Sequence, residues 1–252
     1  MLPRLLVAHQ RDGSIVRRVR IVEDLRAVSL EEAEAFAPMA LELEANELML
    51  EVEHFLVRGI TPEDVFVQLL APAARRLGEY WEEDRCDFVD VTMGLWRLQE
   101  VMREIAQRSP ATPEEFEPAR SALFSPMPGE QHCFGTLMVE EVFARAGWDS
   151  EALVEPQRSE LLRVISDREF ELVGLTVSTD CPSGEIASLL TAIRSVSKCR
   201  SVKVIVGGRA INANPALADR AGADGTAIDA NSALILADRI VPVSRGNFCF
   251  EA

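Results

Sequence analysis

The feature that most constrains this chain is a change of rhythm near its middle. Up to about residue 108, apolar residues recur every three or four positions, the period of helices that pack through one face. From Ala119 the pattern becomes short apolar runs of strand length: SALFSPM, DSEALVE, ELVGLTVS, VKVIVGG and GTAI. Helical stretches separate them. Five short buried strands alternating with helices predict a parallel sheet covered on both faces. The fold class is therefore α/β, with an N-terminal four-helix cap followed by a five-stranded parallel sheet. Between the halves, SPATPEEFEP holds three prolines and no periodicity, so it reads as a linker. The expected organisation is an arm over 1–28, a cap over 29–108, a linker over 109–118 and an α/β domain over 119–252.

Local signals place the elements. Ser29 and Glu32 have capping-box spacing, and Pro38 predicts a short first helix with the next starting near it. That second helix continues from Met39 to Val57 and ends at Arg58-Gly59. Thr61-Pro62-Glu63-Asp64 opens a third, with proline in its first turn, running to about Trp81. An acidic loop, Glu82 to Asp87, leads to a last cap helix from about Val89 to Gln107. In the second half, helices are expected at 133–146, 157–167, 184–197, 212–221 and 230–239.

Charge narrows the partners. The chain carries a net −15, and residues 1–118 hold 24 acidic against 13 basic side chains. Such a surface is repelled by phosphate backbones, so no direct nucleic-acid binding is expected. No apolar run is long enough for a membrane span, and the opening MLPRLLVAHQRDG lacks the features of a secretory signal. The five cysteines are widely spaced and form no C-x-x-C, which predicts a reducing, cytoplasmic setting. Arg4, Arg11, Arg17, Arg18, Arg20 and Arg26 form a basic arm, either a tail or a docking element for an acidic partner.

The first strand runs into Pro126-Met127-Pro128-Gly129-Glu130-Gln131-His132-Cys133-Phe134-Gly135. His132 thus falls beyond a strand's carboxyl end, just before a helix, where an imidazole is either structural or a metal ligand. Glu130, two residues earlier, could accept from the other ring nitrogen and fix the tautomer. A zinc site lacks the other ligands. Thr176 and Ser178 end the third strand, and Gly207-Gly208 ends the fourth, where glycine admits a ligand close to the backbone. Gly222-Ala223-Asp224-Gly225 leads into the fifth. All converge on the edge where ligands bind such sheets. With only His9, His54 and His132 available, no nucleophile–His–acid set suggests a hydrolase, and no enzyme activity is expected.

In this order the motifs resemble the cobalamin-binding domain, a flavodoxin-like sheet with Asp-x-His-x-x-Gly after its first strand, Ser-x-Leu after the third and Gly-Gly after the fourth. Here these read Glu130-Gln131-His132-Cys133-Phe134-Gly135, Thr176-Val177-Ser178 and Gly207-Gly208. The resemblance implies His132 as lower cobalt ligand, Thr176 against the displaced benzimidazole, and the nucleotide tail between sheet and helices. The stretch Leu77-Gly78-Glu79-Tyr80-Trp81-Glu82-Glu83-Asp84 resembles the end of a helix in the four-helix cap of such proteins, which implies Trp81 over the upper corrin face. Cobalamin photoreceptors of the transcription-factor class carry Glu-His ten and eleven residues after that tryptophan. Those positions are Val91 and Thr92 here.

Trp81-Glu82-Glu83-Asp84-Arg85, Phe88, Val91-Thr92-Met93-Gly94 and Arg97-Leu98-Gln99 also resemble the photosynthesis-gene antirepressors of purple bacteria. That resemblance implies a light- or redox-responsive regulator acting on a transcriptional repressor. The alternatives are a corrinoid shuttle of a methyltransferase system, a haem sensor with His132 as axial ligand, and a flavodoxin-like domain without metal.

Overall fold

The computed structural model describes residues 27–110, 119–179 and 181–242. The basic arm, most of the linker and the last ten residues lie outside the described residues.

Ser29 caps α1 (Leu30–Glu42): its hydroxyl accepts from Glu32 N–H, and the Glu32 carboxylate accepts from Ser29 N–H. The helix does not stop at Pro38 as the proline suggested. It runs through Pro38 and ends at Leu43, where Arg97 donates from Nη1 to Ala40 O and Leu41 O at 3.2 and 3.1 Å. A guanidinium satisfying the last carbonyls sets this end. α2 (Ala45–Val57) finishes before Gly59, whose φ of +86° fits a helix stop.

Thr61 caps α3 (Pro62–Val65), which continues through a π-helical turn (Phe66–Leu70) into α4 (Ala71–Glu82). The three form one rod where a single regular helix was expected. Pro72 explains the widening: it has no N–H to offer and its ring would crowd the carbonyl four residues back, a strain that the wider turn relieves. α5 (Phe88–Arg108) begins with a second reciprocal cap between Asp87 and Asp90. These four rods bury Phe36, Leu48, Phe66, Leu69, Leu77 and Leu98 in a common core.

The second half alternates as the apolar runs predicted. Its elements are β1 (Ser121–Pro126), α6 (Phe134–Arg145), β2 (Asp149–Ala152), α7 (Arg158–Asp167), β3 (Leu172–Thr176), α8 (Ser183–Val196), β4 (Lys203–Gly207), α9 (Arg209–Ala213), α10 (Ala216–Ala221), β5 (Gly225–Ala227) and α11 (Ala230–Ile240). The helix expected at 212–221 is two, divided at Asn214-Pro215. All strand pairs are parallel, in the order β2-β1-β3-β4-β5. The strand order therefore reverses between β1 and β3, and the loops that follow these two strands diverge there. Doubly wound sheets bind ligands in that crevice.

The cap is not a detached body. Its core continues into α6 and α11 through Met138, Val142 and Ala230. At the foot of the rod, Arg145 pairs with Glu63 and donates to Ser109 O. Burial pushes the Glu63 carboxyl up, but the hydrogen bond and charge of Arg145 outweigh it and hold the group below its ordinary value of 4.5. A carboxyl so depressed adds stability above its unfolded value and loses it as pH falls. Arg145→Ala is expected to cost about 2 kcal/mol at neutral pH, below the fully buried range because Glu63 is a third exposed. Unfolding followed from pH 7 to 3 checks this: the gap between wild type and variant should narrow below about pH 4.

Candidate functional site

The carboxyl ends of β1, β3 and β4 bring together the residues singled out in the sequence. His132 lies exposed in the loop between β1 and α6, two residues before the first residue of the helix. Its neighbour Glu130 is buried, only 9% exposed, and does not face the imidazole as expected. Its carboxylate instead spans the crevice. Ser178 N–H donates to both of its oxygens at 3.2 and 3.0 Å, Thr179 N–H to Oε1 at 3.2 Å, and the Thr179 hydroxyl to the same oxygen at 2.9 Å. A buried carboxylate needs several donors, and the backbone after β3 supplies them. The extra methylene of Glu over Asp gives the side chain that reach.

Thr176 is half-buried at the end of β3, and its hydroxyl is bonded to that of buried Thr136 at 2.7 Å. Gly207 and Gly208 were expected to leave room for a ligand, and the structure gives both a packing reason. A Cβ at Gly208 would stand 2.6 Å from Val177 O, and its φ is +102°. Here the chain leaving β4 packs against the residue that follows its parallel neighbour β3, and Ala210 N–H donates to Val177 O. A Cβ at Gly207 would meet Ala227 O at 3.1 Å, and one at Gly225 would meet the Leu236 side chain at 2.8 Å. Gly135 differs: it is exposed at the start of α6, and nothing lies within 4 Å of its Cβ position.

Above the crevice stands the cap. Trp81, at the last turn of α4, is 51% exposed. On α5, Phe88, Thr92 and Trp96 follow at four-residue spacing and are exposed. Seven residues beyond Trp96, on the same side of the helix, comes Arg103. Burial pushes the Cys133 thiol up, Glu155 adds to the rise, and the charge of Arg103 opposes it. The helix that carries the stripe, α5, packs against α6, which begins directly after the His132 loop. Over the strand ends, Glu82, next to Trp81, pairs with Arg209 at 2.6 Å. Phe88, Trp96 and Arg209 were not among the expected site residues. The four-residue spacing of Phe88, Thr92 and Trp96 was visible in the sequence, but exposure was needed to separate it from a core stripe.

His54 is on the surface of α2, beside Glu51 at 3.5 Å and away from the site. A shallow cavity of about 390 Å³ on the cap, lined by Glu34, Arg76, Glu79, Tyr80 and Arg85, is also separate from it. Its arginines stack on Tyr80, Arg76 pairs with Glu79, and both arginines reach Glu83. Among the described residues, no group of three or more His, Cys, Asp or Glu could hold a metal ion, and no helix is long and apolar enough to cross a membrane.

No protein-family model matches the chain. An uncharacterized 20.5 kDa protein in the bchF-crtJ intergenic region of Rhodobacter capsulatus is 27% identical over 172 residues, covering 68% of this chain and 89% of that protein. Among solved structures, the monomethylamine corrinoid protein of Methanosarcina barkeri is similar at a TM-score of 0.65 and 16% identity, over 86% of this chain and 99% of that one. A novel cobalamin-binding protein from Desulfitobacterium hafniense DCB-2 aligns over 84% of this chain and all of its own, at 16% identity and a TM-score of only 0.44. The first structural likeness covers cap and sheet together.

The two glycine positions separate packing from ligand space. Gly208→Val is expected to lower stability by at least about 2 kcal/mol, through a left-handed backbone and the Val177 contact. Gly135→Val is expected to leave the unfolding temperature within a few degrees of wild type. Thermal unfolding of both variants is the check. The chain has the helical-cap and parallel-sheet fold of a corrinoid protein.

Proposed function

We propose that the chain is a cobalamin-binding sensory regulator that acts on a transcriptional repressor as an antirepressor. The observation that carries the cofactor reading is the place of His132: exposed after β1, at the reversal of strand order, and two residues before the helix that packs into the cap core. The residues present fit the group. A neutral imidazole is a cobalt ligand, Gly135 opens onto free space, and Thr176 places a hydroxyl at the strand end. Trp81, Phe88 and Trp96 offer apolar cover above. Bound cobalamin would supply a cobalt centre whose axial ligation responds to light or redox state.

In this reading His132 holds the cofactor from below. Ser178, Gly207, Gly208 and Gly225 shape the edge of the crevice, and Glu130 holds the loop opposite. The regulatory part rests on the sequence resemblance between Trp81 and Gln99 and on the acidic cap, which suits docking to a basic protein. A second reading is a corrinoid shuttle for a methyltransferase system. The likeness to the monomethylamine corrinoid protein favours it.

Absorption spectra after incubation with cobalamins, and separately with haem, test the cofactor. Corrin bands should appear and shift in wild type. His132→Ala should bind at least about tenfold more weakly, or retain cobalamin without a histidine spectrum. A variant with wild-type affinity and spectrum, or a wild type that takes up only haem, would overturn the cofactor reading. Capture of partners from a cobalamin-using cell, in dark and light and with and without cofactor, separates the roles. Ligand-dependent recovery of a DNA-binding repressor is expected, because a ligand shifts an equilibrium only through differential affinity. Recovery of methyltransferases alone, with methyl transfer to and from the bound cobalt, would replace the regulator by the shuttle.

A further inference from the structure

The cap and the sheet meet in two ion pairs of opposite character, one at each end of the long rod. At the foot, Glu63 pairs with Arg145, whose side chain is 9% exposed, beside the apolar core the two halves share. At the head, about 28 Å away for 19 helical residues, Glu82 pairs with Arg209, both more than half exposed. The foot is a fixed pivot, and the head is held by a pair that water can open. Arg209 directly follows Gly208, so the head is tied to the strand ends themselves. Arg209 also donates from Nε to Ser178 O at 3.3 Å, while Ser178 N–H is held by Glu130. A polar relay thus runs from the His132 loop through Glu130, the Ser178–Thr179 backbone and Arg209 to Glu82, beside Trp81.

We propose that Glu130 and Arg209 are positioning residues of this relay. It clasps the Trp81 end of the cap over the crevice and sets how long the cofactor stays there. The retention part rests on the cobalamin reading; the clasp does not. Neither residue needs to touch the cofactor. Glu130 fixes the backbone that orients Arg209, and Arg209 holds the rod head. Opening then frees the head of the rod and lifts Trp81, while the cap core stays packed on α6.

A charge swap tests the clasp without disturbing the core, because both partners are exposed. Arg209→Glu and Glu82→Arg singly should raise the corrinoid dissociation rate about two- to fivefold, the range an exposed pair supplies. Together they should recover most of the wild-type rate, short of the part held by the Arg209 Nε–Ser178 O bond that glutamate cannot make. The cobalt spectrum should stay unchanged throughout, since His132 is untouched. Glu130→Gln should also speed dissociation, and by less than the additive expectation when combined with Arg209→Glu, because both act through one chain of contacts. Hydrogen exchange on the cofactor-free protein gives an independent reading. The amides of Ser178, Thr179, Asp84 and Arg85 should lose protection in Glu130→Gln, and those of Asp84 and Arg85 in Arg209→Glu. The double swap should recover the latter. Single variants that leave exchange at Asp84 and Arg85 unchanged, or a double swap that rescues nothing, would overturn the clasp. Failure of the wild type to bind any corrinoid would overturn the cofactor reading and with it the retention role, while the exchange results still decide the clasp.

Discussion

Helix α6 belongs to two cores at once, and the arrangement of the molecule depends on it. Phe134, Leu137, Met138 and Val142 pack into the cap, while Phe143 packs under the sheet. There it meets Phe124 and Trp148 edge-on, at centroid distances of 4.7 and 5.2 Å. Lifting the whole cap away would uncover Met138 and Val142, each worth roughly 1.5–3 kcal/mol of burial. The shared helix starts two residues after His132, so the apolar contact that joins the halves also fixes the histidine's distance from the cap. Any motion between the halves must leave α6 in place.

Much of this was legible in the sequence because the signals were local. Ser29 with Glu32, Thr61 before Pro62, and Gly59 after Arg58 each marked a helix end by a hydrogen bond or a backbone conformation set within a few residues. The alternation of apolar runs and helices revealed the parallel sheet, whose order is β2-β1-β3-β4-β5. What stayed hidden depended on distant partners. Pro38 did not end α1, because the end lies where Arg97, 57 residues from Ala40, reaches the free carbonyls. The break of the helix expected at 212–221 has a local cause instead: Pro215 disfavours the helical conformation at Asn214.

At the candidate site, residue types were easier to read than their partners. Spacing placed Glu130 beside His132 but could not say where a flexible carboxylate would point. Three donors across the crevice offer more than one imidazole nitrogen, so the side chain turns to Ser178 and Thr179. Glycines raised the same difficulty. Gly135 and Gly208 look alike in sequence, yet one opens onto free space and the other is pressed against Val177. Whether a missing side chain makes room for a ligand or for the protein's own backbone is decided by what the neighbouring strand brings there.

The π-helical turn at Phe66–Leu70 sets the phase of the long rod. Ala71 N–H bonds back to Phe66 O, five residues away, so one residue more than an α-helix would use fits into that turn. Each residue advances a helix by about 100°. The turn therefore lets Glu63 face Arg145 at one end while Glu82 faces Arg209 at the other, within a single uninterrupted rod. The same residues wound at α-helical pitch through Phe66–Leu70 would keep a rod of nearly the same length and the same foot. Its head would be turned by about a quarter of a circle, carrying the tryptophan away from the strand ends. In this rod a single extra residue acts as an angular setting, and the direction in which the cap looks is recorded there.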